Sequence, residues 1–221
     1  MGQRPETNVK ATREDWLQVA LATLIEEGVD QVKVLPLSNK LKVSRSSFYW
    51  YFQDRPDLLD KLLAHWESTN TRNLVQHCEM PSSTITEAAL NIAECWIYND
   101  LFDPRLDFAI REWSRRDNGV RAILDAADAA RIEAMRLVFV RHGYEEVEAF
   151  IRARVFYFTQ IGYYALDLKE HLTDRLSYLH AYMKAATGFA PEPGIIEQFR
   201  DKHRPIGWGQ QSKSQKARTY E

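Results

Sequence analysis

The chain has 221 residues, of which 45% are hydrophobic and 27% charged, and its formal net charge is −2. This is ordinary globular composition, and the charge of the whole chain gives no indication of a nucleic-acid partner. Two cysteines, Cys78 and Cys95, form neither a disulfide framework nor a metal motif, which favours a reduced, cytoplasmic setting. No apolar signal core opens the chain and no apolar run approaches the roughly 18 residues of a membrane helix, so we expect neither export nor a membrane partner.

Residues 1–11 are polar and lack periodicity, and we expect a flexible arm there. Thr12 begins the first predicted helix, with Asp15 three residues later as the second member of a capping box. Gly28 ends this helix, since glycine readily adopts the left-handed conformation that follows a helix C-terminus. Apolar residues at helical spacing form its buried face: Trp16, Leu17, Ala20, Leu21, Leu24 and Ile25.

The stretch from Leu37 to Phe52 predicts two short helices joined by a tight turn at residues 42–44. Ser44 is the predicted N-cap of the second helix, because its hydroxyl can accept a hydrogen bond from a free amide one turn later. Phe48 and Phe52 are four residues apart, so they share the face that packs in the core. The residues off this face are a cation, hydroxyls and aromatic rings, which is typical of the second helix of a DNA-binding helix-turn-helix.

The same region carries a local excess of positive charge. Between Lys33 and Arg55 there are five cations and one anion, Asp54. Attraction to phosphate is short-ranged at physiological salt, so this basic segment can bind DNA although the whole chain is slightly acidic.

Helix signals continue along the rest of the chain, beginning with caps followed by proline at Asp54 and Asp103. The predicted helices after the turn are 54–76, 84–99, 103–117, 120–142, 145–169, 173–187 and 193–202. Asn118 with the glycine after it predicts a chain break, and Thr173 predicts a helix cap. Residues 203–221 have few apolar side chains and predict a flexible tail. No strand pattern occurs, so the predicted fold class is all-α, with about nine or ten helices.

Several linked pieces of the N-terminal region share the spacing of one protein family. They are Thr12-Arg13-Glu14, Glu26-Glu27-Gly28, Leu37 with Leu41, Val43-Ser44, Phe48-Tyr49 with Phe52, and Arg55 with Leu58 and Leu59. In these pieces the chain resembles the DNA-binding domain of the tetracycline-repressor (TetR) family of bacterial transcription regulators. The resemblance implies a helix-turn-helix domain at 12–56 and a helical ligand-binding and dimerisation bundle at 57–202.

The sequence departs from the family pattern at several places. The family usually has threonine at the start of the second helix, where residues 33–36 stand here, and we expect Lys33 to replace the phosphate contact of that hydroxyl. Lys42 stands at the usual turn glycine, where a positive φ costs a residue other than glycine about 1 kcal/mol. Arg55 preserves the charge of the lysine that usually opens the fourth helix.

The resemblance implies that the second helix of the motif lies in the major groove of DNA. It assigns Arg45, Ser46, Ser47 and Trp50 to the groove and Tyr49 and Tyr51 to phosphates, with Lys33 and Arg55 as further phosphate contacts. Arginine can donate to O6 and N7 of guanine, and serine can serve either base type, whereas tyrosine hydroxyls only fix position on the backbone. The alternative for the three aromatic residues is that they pack against neighbouring helices.

The motif also predicts a partner for the chain. Two helix-turn-helix units about 34–36 Å apart read a palindromic operator in double-stranded DNA, so the function requires a homodimer. The candidate dimer helices are those at 145–169 and 173–187, where Gly162 and Ala165 permit close approach. The alternative is that these helices only close the core of one chain.

An effector pocket is implied by the resemblance, for an unknown small molecule. The residues that could line it are Trp96, Phe102, Phe108, Trp113, Phe139, Phe156, Tyr157, Gln160 and Tyr164. Aromatic residues at helical spacing pack in a core more often than they line a cavity. For each of these residues taken singly, the alternative is therefore a place in the core.

No histidine pair has metal spacing, and no phosphate loop or catalytic constellation occurs, so we expect no metal, no cofactor and no enzymatic activity. The sequence therefore predicts a repressor that a small molecule releases from its operator. One alternative is an all-α small-molecule binding protein or enzyme with an incidental helix-turn-helix. Another is a DNA-bound activator or structural protein without an effector.

Overall fold

The computed structural model describes the backbone of residues 11–207 and the side chains of residues 11–203. Residues 1–10 of the predicted arm and residues 208–221 of the predicted tail lie outside the described residues. Within the described range the fold is all-α without strands, which confirms the predicted class. Its α-helices are α1 (Arg13–Glu27), α2 (Val34–Leu41), α3 (Arg55–Trp66), α4 (Arg72–Glu79), α5 (Ile85–Glu94), α6 (Pro104–Ser114), α7 (Asn118–Arg141), α8 (Glu146–Ala165), α9 (Leu172–Ser177), α10 (Leu179–Thr187) and α11 (Ile195–Gly207).

Three other helical segments interrupt this series. Val29–Gln31 and Arg45–Trp50 are 3₁₀-helices, and Glu67–Thr71 is a π-helix between α3 and α4. The 3₁₀-helix Arg45–Trp50 is called the short helix below. It stands where the second helix of the predicted helix-turn-helix was expected.

The chain forms two compact units. The first combines the described residues up to 70 with residues 103–126, and the second combines residues 71–102 with those from 127 onward. This division by packing places α6 with the N-terminal helices, although the predicted division by function cuts the chain near residue 56. The functional boundaries remain a prediction.

The first unit is built on α1, which packs against α2, α3 and α6. The predicted capping box is complete, since the Asp15 amide donates to the Thr12 hydroxyl and the Thr12 amide donates to the Asp15 carboxylate. Gly28 follows α1 with φ of 84°, a conformation that glycine adopts without strain. The largest fully buried side chains of this unit include Trp16, Leu24, Leu37, Phe48, Leu58, Leu62 and Trp66.

The turn after α2 has the left-handed residue expected there. Lys42 has φ of 56° and ψ of 39°. The Val43 amide donates to the Ser38 carbonyl at 3.0 Å, which closes the C-terminus of α2. The prediction that the Ser44 hydroxyl caps the next helix is wrong, because that hydroxyl pairs with the Ser46 hydroxyl at 2.8 Å.

The long helix predicted at 54–76 is interrupted by the π-helix, which the sequence did not indicate. The buried Asn70 side chain lies in this segment and makes two hydrogen bonds to the backbone of Asp103. Its amide donates to the carbonyl at 2.9 Å, and its oxygen accepts from the amide at 3.2 Å. A π-helix places one additional residue in a turn, so it allows a helix to change register and meet a distant partner.

The second unit contains a large apolar core drawn from α4, α5, α7, α8, α9, α10 and α11. A fully buried cation, Arg131 on α7, lies inside it. Arg131 donates to the hydroxyls of Thr71 at 3.0 Å and Tyr157 at 2.9 Å, and its guanidinium lies 5.2 Å from the ring centroid of Phe102. The Tyr157 hydroxyl donates in turn to Asp128 at 2.7 Å. This network compensates the cost of burying the charge.

Three predicted boundaries in the C-terminal half differ from the observed ones. Asn118 begins α7 instead of breaking the chain, because the Asp117 carboxylate accepts from the amides of Gly119 and Val120. Thr173 lies inside α9, whose N-cap is His171, and the helix predicted at 173–187 is split at Tyr178. The last helix continues to Gly207 because its inner face, which includes the buried Phe199 and His203, packs in the core.

Among the described helices, none has both the length and the apolar content that a membrane crossing requires.

We predict that Lys42→Gly raises the midpoint of thermal unfolding at fixed protein concentration by about 2 °C. Glycine removes the left-handed strain of about 1 kcal/mol, although it adds some freedom to the unfolded chain. Asn39→Gly in α2 is the matched control and should lower the midpoint, because glycine disfavours a helix interior. A lower midpoint for both variants would contradict the proposed strain at Lys42.

Candidate nucleic-acid interface

The short helix is fixed to the first unit by its apolar side. Phe48 is fully buried, with its ring centroid 5.2 Å from that of Trp16 in an edge-on contact. Phe52 stacks on Phe48 at a centroid distance of 5.1 Å and is also buried. Aromatic pairs in these arrangements contribute beyond the area that they bury, so the orientation of a helix of six residues is well defined.

The opposite side of the short helix exposes large aromatic rings. Tyr49 is 60% exposed and Trp50 is 63% exposed. Arg45 and Ser46 are exposed beside them, so four of the predicted DNA contacts lie on one short segment. Two adjacent exposed rings beside a cation and a hydroxyl form a patch that can pack against a partner, which makes this surface a candidate interface.

Two further predicted contacts are used inside the first unit. Ser47 is buried, and its hydroxyl donates to the Ser44 carbonyl at 2.8 Å. Tyr51 is half-buried, and its hydroxyl donates to the Ala11 carbonyl at 3.1 Å. These side chains fix the short helix, and whether they also contact DNA remains a prediction.

Arg55, at the start of α3, supports the connector between α1 and α2. Its Nε donates to the Val32 carbonyl at 2.6 Å and its Nη2 donates to the Val29 carbonyl at 2.8 Å. A guanidinium can hold two carbonyls at once because its donors are fixed in one plane. The sequence indicated charge at this position but not these two acceptors, which lie more than twenty residues earlier in the chain.

The cations of the motif differ in whether a carboxylate of the protein offsets their charge. Lys40 donates to Glu27 at 2.5 Å and to Thr23 at 2.8 Å, so an adjacent carboxylate offsets its charge. Lys33 and Lys42 have exposed side chains and form no ion pair with the described residues. The cations that can meet an external phosphate are therefore those at the two ends of α2, together with Arg45 on the short helix.

The second unit contains a cavity of about 220 Å³. It is lined by residues of α5, α8, α9, α10 and α11 and of the segment before α9. Trp96, Phe156 and Gln160 are the three predicted ligand residues that it brings together. The other six do not line it: Phe108 and Trp113 belong to α6 in the first unit, and Phe102, Phe139, Tyr157 and Tyr164 pack elsewhere in the second unit.

The polar residues at the edge of this cavity were not predicted from the sequence. Tyr163 donates its hydroxyl to Glu170, and the Arg175 guanidinium lies 5.0 Å from the centroid of the Tyr163 ring. Burial, followed by the hydrogen bond to Glu170, raises the pKa of Tyr163 to about 12, so the phenol keeps its proton at neutral pH. A helix break between residues 165 and 172 brings these groups together, and no local sequence pattern indicates that proximity.

Within the described part of the chain, no group of three or more histidine, cysteine, aspartate or glutamate residues is placed to hold a metal ion.

We predict that Arg55→Met lowers the thermal midpoint by about 4–8 °C, because two carbonyls lose charge-assisted hydrogen bonds worth about 2 kcal/mol together. Arg45→Met is the matched control, since this exposed side chain has no such role, and its midpoint should stay within about 1 °C of the unmodified protein. Equal midpoints for the two variants would contradict the structural role of Arg55.

The N-terminal helices match a known protein family. Residues 17–62 match the model of the family described as bacterial regulatory proteins, tetR family. This segment contains most of α1, all of α2 and the short helix, and most of α3. No curated protein matches the sequence.

Solved structures extend the similarity over most of the chain. Salmonella enterica GusR has a TM-score of 0.63 and 15% identity, over 84% of this chain and 98% of its own. Mycobacterium smegmatis AmtR has a TM-score of 0.57 and 14% identity, over 92% of this chain and 99% of its own. These identities establish a shared fold only. The family match covers residues 17–62, which contain the helix-turn-helix, and the likeness to GusR and AmtR extends the shared fold over most of the chain.

Proposed function

We propose that this regulator acts in the cytoplasm as a homodimeric repressor that binds a palindromic operator and leaves it when a small molecule binds. The observation that carries the proposal is the two-sided short helix. Phe48 and Phe52 fix it from behind, while Tyr49 and Trp50 are held in solvent. Exposing two large rings on a fixed support has a cost, and burial against DNA would recover it.

A protein that recognises a DNA sequence contacts both base edges and phosphates, and the exposed residues can make both kinds of contact. Arg45 can donate to both acceptors on the major-groove edge of guanine, and Ser46 can serve a neighbouring base. Tyr49 can donate to a phosphate, and the cations Lys33 and Lys42 add charge for the backbone. Within the same proposal, Ser47, Tyr51 and Arg55 act mainly by fixing the residues that touch DNA.

A dimer is proposed through α8, with α10 beside it. Four apolar residues of α8 recur at intervals of three or four and are exposed: Val147 (77%), Ile151 (50%), Val155 (52%) and Phe158 (45%). They form one continuous stripe, and Tyr178 and Tyr182 near and on α10 are exposed as well. A second copy of the same stripe would cover it under twofold symmetry, which also suits a palindromic operator.

The effector step rests on the cavity in the second unit. A ligand changes operator binding only as far as it binds one conformation of the protein more tightly than the other. A preference of a few kcal/mol for the conformation that does not fit the operator is sufficient. The cavity of about 220 Å³ is the proposed binding site.

We predict that Arg45→Ala combined with Tyr49→Ala weakens binding to operator DNA at least about 100-fold, since each lost base or phosphate contact costs roughly 1–3 kcal/mol. The DNA is selected from a random pool by the unmodified protein, and affinity is measured by fluorescence anisotropy at fixed salt. Arg115→Ala removes an equal charge from an exposed position outside the short helix and should leave the affinity within about twofold.

Sequence-specific binding by the double variant, at the strength of the Arg115→Ala control, would contradict the assignment. Retained helicity by circular dichroism is required of both proteins.

We predict that Ile151→Glu combined with Phe158→Glu converts the protein to monomers in sedimentation velocity at micromolar concentration. Buried carboxylates without partners cost several kcal/mol across a twofold interface, where each substitution occurs twice. Met80→Glu changes an exposed apolar residue away from the stripe and should leave the dimer intact. A dimer that persists in the double variant would exclude α8 as the interface.

A further inference from the structure

The size of the cavity in the second unit limits its occupant. Its volume is about 220 Å³, whereas an engineered apolar cavity of about 150 Å³ admits benzene. The additional space suits a second fused ring but not a large polycyclic molecule. This cavity therefore fits a ligand of one or two rings.

The walls of the cavity favour an aromatic guest. Trp96 and Phe156 meet edge to face there, with ring centroids 5.0 Å apart. Phe199 and the thioether of Met183 complete a lining that is largely apolar and polarisable. Rings pack against such surfaces edge-on or offset, and sulfur makes favourable contacts with ring edges.

One polar group in the cavity wall lacks a partner. The side-chain nitrogen of Gln160 is inaccessible to solvent and makes no hydrogen bond with any described residue. A buried donor left in this state costs about 1–3 kcal/mol, so a ligand oxygen that accepts from it gains affinity. Gln160 is the position at which the cavity can recognise a specific group.

The charged groups of the lining argue against a charged guest. The Tyr163 hydroxyl already donates to Glu170, and the Arg175 guanidinium lies over the Tyr163 ring. Glu170 and Arg175 contribute one charge of each sign to the same lining, so the cavity presents no net charge to a ligand. Desolvating an ion in a site without an unopposed counter-charge is costly.

We propose that the cavity binds a neutral aromatic compound of one or two fused rings whose single hydroxyl or carbonyl oxygen accepts a hydrogen bond from Gln160. The claim that such a compound is the effector rests on the proposed repressor function. The claim that the compound binds in the cavity rests on the cavity alone.

The test uses isothermal titration calorimetry on the full chain with 2-naphthol, naphthalene, 2-naphthoate and 1-octanol as probes. We expect 2-naphthol to bind once per chain and about fivefold more tightly than naphthalene, because the hydrogen bond adds roughly 1 kcal/mol. The anion 2-naphthoate and the alkyl chain of 1-octanol should both bind more weakly than 2-naphthol.

Gln160→Leu should bring the ratio of the naphthalene and 2-naphthol dissociation constants close to one. Leucine removes an unpartnered amide and is apolar, so we expect the variant to fold. Gln76→Leu makes the same substitution at an exposed residue of α4, outside the cavity, and should retain the fivefold ratio. Ala93→Leu fills part of the cavity and should abolish 2-naphthol binding, which gives a second variant if Gln160→Leu is unstable.

Three results would overturn the proposal: no heat of binding for 2-naphthol up to its solubility limit, tighter binding of 2-naphthoate or 1-octanol, or an unchanged ratio in Gln160→Leu. Operator binding, measured on the same samples by anisotropy, separates this inference from the repressor function. If 2-naphthol binds but the protein never binds a selected DNA, the proposed ligand site is supported and the repressor function is contradicted. If the protein binds DNA but not 2-naphthol, only the proposed ligand site is contradicted.

Discussion

The contact between Phe48 and Trp16 is the constraint on which the proposed DNA-binding surface depends. A helix of six residues cannot hold its own orientation in water, because it forms too few internal hydrogen bonds. Here Phe48 is fully buried against Trp16 and Phe52, so the core of the unit determines which way the short helix faces. The exposure of Tyr49 and Trp50 on the other side follows directly from that packing.

Several backbone carbonyls near the helix-turn-helix accept hydrogen bonds from charged or hydroxyl-bearing side chains. Arg55 donates to two carbonyls of the connector before α2, and Tyr51 donates to the carbonyl of Ala11. Lys40 is paired with Glu27, so the basic region is less positive than its sequence suggests. The proposed DNA surface of one chain is therefore small, with a few exposed cations and rings, and the proposed dimer would present it twice.

Local chemistry explains which parts of the fold could be predicted. The Thr12 capping box, Gly28 and the left-handed Lys42 are decided by residues within a few positions, and each was anticipated. The π-helix around Asn70 was not, since it forms with the backbone of a residue far along the chain. For the same reason, three of nine predicted ligand residues share the cavity: aromatic spacing identifies a buried face but not the helices that surround it.

Radical oxidation of side chains, read by mass spectrometry with and without selected operator DNA, tests the DNA-binding surface most directly. Tyr49 and Trp50 are exposed in the free protein, and Phe189, at 61% exposure in the second unit, is the internal reference. The account predicts that DNA strongly reduces oxidation of Tyr49 and Trp50 and leaves Phe189 unchanged. Undiminished oxidation of Tyr49 and Trp50 in the saturated complex would contradict it.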